Sequence, residues 1–278
     1  MLDTLRTIFQ STIKALEILY VLEGIKPAAR IMVNEDKKGQ IANFLKENNL
    51  YYTISNFKIK KADNEKDYSD KGIKVPADSS EIGYYFFYIS KSKEKTEEAR
   101  LLEDKNEHKN LGILLGYPEC CSEFFERNFP IESKKQNDYT LASLKNSDGF
   151  QFPFYTNIAS RHFDVSLLSH FPCSFNCNDS IELAKKYLEL IRKYDKKLAD
   201  IIEGMSKGAV LYTETKGVFL LRYPELEHNR LFYKAVMASK NNELYELLKN
   251  AEFIEIINKN MIILDSFEIK NIGIMVFS

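Results

Sequence analysis

The chain's cysteines occupy two short segments, Gly116-Tyr117-Pro118-Glu119-Cys120-Cys121 and Ser169-His170-Phe171-Pro172-Cys173-Ser174-Phe175-Asn176-Cys177. Each pair follows an aromatic residue and a proline, and the rest of the 278 residues holds no cysteine. A thiolate binds soft metals and attacks electrophiles, so three chemistries are open. Cys120, Cys121, Cys173 and Cys177, or three of them with His170, satisfy zinc or an iron-sulfur cluster, and a cluster held by three thiolates keeps one iron open for substrate or sulfide. Alternatively, a metal-free site uses one cysteine as nucleophile and another to resolve it. The third reading is structural: four small apolar side chains bracing a core. A vicinal pair and a four-residue step both differ from the Cys-x-x-Cys knuckle of common zinc modules.

The neighbouring residues extend the site. His170 precedes Cys173 by three and is the best further ligand or base; Cys121, His170 and Glu119 form the catalytic set this spacing suggests. Arg161 and His162 are candidates to bind a substrate anion, with Tyr117 as a pocket wall, although an ion pair at the edge of the core explains Arg161 as well. Carboxylates at Glu119 and Glu123 suit a first helical turn and need no function to be there. Phosphate loops, dinucleotide glycine fingerprints and Gly-x-Ser-x-Gly elbows are absent from the sequence, which argues against the common nucleotide-dependent and hydrolase classes.

Both cysteine pairs are positioned by helix starts. Gly116 ends one apolar-periodic run, Pro118 suits a first helical position, and Glu119, Glu123 and Glu126 support a helix to about Asn128, with Cys120 and Cys121 in its first turn. A long helix follows Cys177, capped by Asp179 or Ser180 and running through Leu183, Tyr187, Leu190 and Leu198 to Ile202. Amides free at a helix start favour negative charge, and hence thiolate. Upstream, apolar spacing predicts one helix over 3–23, a strand at Ala29–Val33, a helix at Asp36–Glu47, one or two strands in Leu50–Ile59 and an aromatic strand at Gly83–Ser90. Lys60–Glu81 reads as a polar surface loop, Lys91–Leu115 as one helix and Ser133–Lys145 as a polar helix. Beyond 208 the pattern turns to short strands around one helix, Asn242–Lys249. The class is α/β in the α+β sense: a mixed sheet with packed helices, a helical cysteine-bearing centre and a smaller C-terminal α+β unit. The expected division is a main domain over 1–208 and a unit over 209–278.

A net charge of -1 provides no broad field for nucleic acid or an anionic membrane. No run approaches the roughly 18 apolar residues of a membrane helix. An acid at Asp3 stands where a secretory signal is basic, so a cytoplasmic location is expected, where paired cysteines more often bind metal or do chemistry than cross-link.

Leu115-Gly116-Tyr117-Pro118-Glu119-Cys120-Cys121 with Phe124, and His170-Phe171-Pro172-Cys173-Ser174 with Cys177 and Ser180, resemble the signature of an uncharacterised prokaryotic family, domain of unknown function 483. Gly24-Ile25-Lys26-Pro27-Ala28-Ala29-Arg30 is similar to that family's beginning. The resemblance implies that the cysteine and histidine motif is a family feature, and it implies no activity. The residues together lead to the expectation of a cytosolic metalloprotein. It would use an iron-sulfur cluster or zinc on a small molecule or modified nucleoside, in sulfur-transfer or redox chemistry. The alternatives are a metal-free thiol enzyme and a non-catalytic scaffold.

Overall fold

The computed structural model describes residues 1–61, 72–135 and 137–278. Its contacts divide it into two compact units, one within 1–137 and the other within 138–278. Among the described residues there are ten α-helices and three five-stranded sheets, an α+β architecture.

In the first unit, α1 (Leu2–Phe9) and α2 (Thr12–Leu22) replace the single expected helix. Gln10 takes a left-handed conformation (φ 50°) and Ser11 caps α2 by accepting from the Lys14 amide at 3.3 Å, so the apolar periodicity continues while the backbone does not. The strands β1 (Ala28–Asn34) and β2 (Tyr51–Ile54) are joined by α3 (Lys38–Glu47). Both pair antiparallel with β5 (Tyr84–Ser90), which therefore lies between them and splits the expected strand-helix-strand unit. The sheet is completed by β3 (Phe57–Lys61) and β4 (Gly72–Pro76). Part of the polar stretch expected as a loop at Lys60–Glu81 is thus paired strand, and part lies outside the described residues. The aromatic run of β5 is core: Phe87, Tyr88 and Ile89 are fully buried.

Next come α4 (Lys93–Asp104) and α5 (His108–Leu114), separated by Asn106 at φ 55°, again where one helix was expected. They pack on the sheet through Ala99, Leu111 and Leu115 against Ala28 and Tyr88. The unit's last helix is α6 (Glu119–Glu132), which passes through Pro130 and outlasts its expected end at Asn128.

The second unit begins with α7 (Thr140–Lys145); among the described residues of the expected Ser133–Lys145 helix, 133–135 form a turn instead. After β6 (Gln151–Phe152) and two 3-10 turns come α8 (Asn178–Tyr194) and α9 (Lys196–Ser206). Asp195 breaks the expected long helix by capping α9, its Oδ1 accepting from the Leu198 amide at 2.9 Å. One sheet runs β11 (Ala235–Ala238), β8 (Gly217–Arg222), β7 (Gly208–Thr213), β15 (Ile272–Phe277), β6, and only its last pairing is parallel. A second runs β14 (Phe267–Lys270), β13 (Met261–Leu264), β12 (Phe253–Asn258), β10 (Arg230–Phe232), β9 (Glu225–Glu227). Leu211, Phe219 and Ile274 of the first sheet share one core with Leu231, Ile254 and Ile262 of the second and with Leu244 and Leu248 of α10 (Glu243–Asn250). Burying both faces of β7 and β15 explains their unbroken apolar sequences, which alternation alone would not produce.

Candidate metal centre

The vicinal pair is set by a tight turn. Leu115 ends α5, Gly116 follows at φ 79°, and the Gly116 and Tyr117 amides donate to the carbonyls of Ile113 (2.9 Å) and Gly112 (3.0 Å). A β-carbon on Gly116 would stand 2.9 Å from Pro27 Cδ, so glycine is required by both the left-handed backbone and the close approach. Pro118 occupies the N-cap of α6, one place before the first helical position expected of it, and Cys120 and Cys121 fall in the first turn as the spacing predicts, with Glu119 at the first position. Gly112 lets α5 approach α6, since a β-carbon there would fall 2.4 Å from Ser122 Oγ.

Beneath this turn lies the Gly24–Arg30 segment. The Lys26 side chain is wholly buried, pairs with Glu17 at 2.5 Å and holds Nζ 4.7 Å from the centre of the Tyr117 ring. Burial opposes its charge, but Glu17 more than offsets that and leaves the ammonium harder to deprotonate than usual. Arg30 pairs with Glu103 at 2.7 Å and lies over Phe86. Tyr117 packs against the apolar cluster formed by α4, α5 and the sheet.

The second pair sits on an irregular loop held by side chains from elsewhere in its unit. Ser143 Oγ donates to the Pro172 carbonyl at 2.7 Å and Asn146 Nδ2 to the Cys173 carbonyl at 3.2 Å. Ser147 Oγ accepts from the Phe175 amide at 2.8 Å while donating to the Ser143 carbonyl at 2.7 Å, and Thr156 Oγ1 donates to the Phe175 carbonyl at 2.8 Å. The Phe175 ring is fully buried between Phe152 and Phe277, with ring centres 5.2 and 5.5 Å away. Cys177 occupies the N-cap of α8, in place of the expected Asp179 or Ser180, and its carbonyl accepts from the Ile181 amide at 3.0 Å.

The four sulfurs converge. Cys120 and Cys121 Sγ are 3.8 Å apart, and the ligand atoms of Cys120, Cys121, Cys173 and Cys177 all lie within 4.8 Å of one another. Cys121 and Cys177 are buried, Cys120 and Cys173 half-buried. Among the described residues these are the side chains grouped closely enough to hold a metal ion.

The other candidates are engaged as follows. Buried His170 has its Nε2 3.0 Å from Ser180 Oγ in the first turn of α8. Arg161 pairs with the buried Asp138, donates to the Ile158 carbonyl at 2.9 Å and lies 4.8 Å over Phe171, the core-edge ion pair that its sequence position allowed. His162 Nε2 is 3.8 Å from Asp138, and burial together with Arg161 drives its pKa down to about 3, so the ring is neutral. Burial would raise the Asp138 carboxyl, but Arg161 and the Thr140 amide hold it below the usual range. Glu119 is exposed and pairs with Lys109 at 2.9 Å. Sequence reasoning missed Glu17, Asp138, Ser143, Asn146, Ser147 and Thr156. They carry no motif, and only their places in the fold bring them into use.

Residues 92–209 match the model of the family DUF483, described as a protein of unknown function. The DUF483 stretch runs from the start of α4 into β7 and contains both cysteine pairs with His170, while the Gly24–Arg30 segment lies outside it. No curated protein and no solved structure gives a significant match.

Proposed function

We propose that the chain is a metalloprotein that holds one tetrahedral ion, zinc or a single iron, through Cys120, Cys121, Cys173 and Cys177. The carrying observation is the mutual 4.8 Å limit on the four sulfurs. Four thiolates about 2.3 Å from one zinc stand about 3.8 Å apart at the corners of a tetrahedron. The Cys120–Cys121 separation of 3.8 Å equals that edge. A polynuclear cluster spreads its outer thiolates over several irons and spaces them more widely, so the compactness favours a single ion. With four protein ligands the shell has no open position, so the ion's role is structural. Metal analysis and thiol alkylation of protein purified without air test this. The expected result is one metal per chain with four protected thiols. Iron with stoichiometric sulfide and a broad visible absorption would replace the single ion by a cluster, and four freely alkylated thiols without metal would remove the centre.

A second reading rests on exposure. Half-buried Cys120 and Cys173 can be approached by a small molecule, which favours a thiol enzyme of sulfur-transfer or redox type with one of these two as the nucleophile in place of the buried Cys121, and with His170 and Glu119 as the remaining members of the expected catalytic set. It predicts selective alkylation of one cysteine at neutral pH in the metal-free protein.

A further inference from the structure

The loop bearing Cys173 and Cys177 has no regular secondary structure to hold it, yet its carbonyl and amide groups are engaged one after another. Ser143 bonds the Pro172 carbonyl, Asn146 the Cys173 carbonyl, Ser147 the Phe175 amide, Thr156 the Phe175 carbonyl, and Asn176 Oδ1 accepts from the Asp148 amide at 3.2 Å. Ser143 and Ser147 are buried, and they form a short relay in which Ser147 Oγ donates to the Ser143 carbonyl. Lys259 Nζ in turn donates to the carbonyls of Leu144 (3.0 Å) and Ser147 (2.8 Å), fixing the end of α7. None of these bonds involves a sulfur atom, so the loop is shaped by groups other than those that would bind metal.

We propose that Ser143, Asn146 and Ser147 are positioning residues of the thiolate centre: they hold the 172–177 backbone in the conformation that places Cys173 and Cys177 at ligand spacing before an ion arrives. The inference rests on the single-ion reading above. Its consequence is that the centre is preorganised, so the ordering cost of binding is small and the loop keeps its shape without metal. Groups that orient metal ligands through hydrogen bonds change affinity by about 10–100-fold when removed.

The test is titration of the full-length metal-free protein with cobalt(II) under reducing conditions, reading affinity and the ligand-field spectrum together. Wild-type protein should take up one cobalt with the intense bands of tetrahedral thiolate coordination. S147A should bind about tenfold or more weakly with altered bands, and N146A, at an exposed position expected to leave folding intact, should shift in the same direction by less. T213V supplies the comparison, because the Thr213 hydroxyl makes an equally buried bond to the Gly217 carbonyl at 2.7 Å within a β-hairpin, away from the loop. It should lose stability without changing the spectrum. If S147A and N146A bind cobalt like wild type, or if T213V weakens binding as much as S147A, the positioning role is overturned. If wild-type protein binds no cobalt, the single-ion reading itself falls.

Discussion

The two cysteine-bearing segments reach coordination spacing by opposite means. Gly116–Cys121 is local: a left-handed glycine ends one helix, a proline begins the next, and the thiols occupy fixed positions of the first turn. His170–Cys177 is remote: an aperiodic loop shaped by Ser143, Asn146, Ser147 and Thr156, which lie 19 to 29 residues in sequence from the groups they bond. Helix-start geometry follows from backbone rules and is cheap to encode. A loop needs partners for each of its polar groups, and those partners come from wherever the fold places them.

This contrast can be tested from the strongest effect downward. Replacing any one of Cys120, Cys121, Cys173 or Cys177 by Ser should abolish stoichiometric metal, whichever segment carries it; a variant that retains one full equivalent would show that its cysteine is no ligand. Under the helix-start segment, K26M strands the buried Glu17 carboxylate, whose side chain is only 6% exposed, and should cost about 3–5 kcal/mol in urea unfolding. A loss under 1 kcal/mol would mean that the ion pair contributes little to the socket beneath Tyr117.

Acid should act beside the loop segment. An unfolded His162 takes a proton near pH 6.5, whereas the folded one does so only near pH 3, so folding stability is complete above about pH 7 and falls as the pH drops through 6.5 toward 3. By pH 5 the loss should be about 2 kcal/mol relative to pH 8, and H162Q should flatten that part of the profile. Asp138, whose folded carboxyl is held low, adds a further loss only below the ordinary carboxylate range. An unchanged slope in H162Q would exclude His162 as the source.

G116A should cost about 1–2 kcal/mol for the left-handed backbone alone, with a further penalty from the approach to Pro27. Equal stability of G116A and wild type would remove the argument that the helix-start turn needs glycine. The smallest expected effect is that of E119Q: its own side chain faces solvent and Lys109 keeps a second pair with Glu123 at 2.5 Å, so the unfolding midpoint should stay within error. A clear loss would give Glu119 a role that its exposed ion pair does not explain.

Much of the fold was legible because local rules dominate it. The strands at Ala28–Asn34, Tyr84–Ser90, Gly208–Thr213 and Ile272–Phe277 follow from apolar runs, and the start of α6 follows from Gly116 and Pro118. The errors share a cause. Gln10, Asn106 and Asp195 each interrupt a continuous apolar stripe, because a left-handed residue or a capping side chain ends a helix without altering the periodicity that announces it. Strand order was illegible for a different reason: β5 enters between β1 and β2 from 30 residues farther along, and no local pattern encodes which edges meet.

At the site, the sequence by itself determined the donor chemistry, four thiols in two proline-led segments, and the helix start that presents Cys120 and Cys121, because residue type and turn geometry are local properties. Only the tertiary structure decided that the four sulfurs come within 4.8 Å, that Lys26 lies buried beneath Tyr117, and that Arg161 and His162 face Asp138. Those are distances between residues far apart in the chain, set by which apolar faces pack and which buried polar groups then need partners.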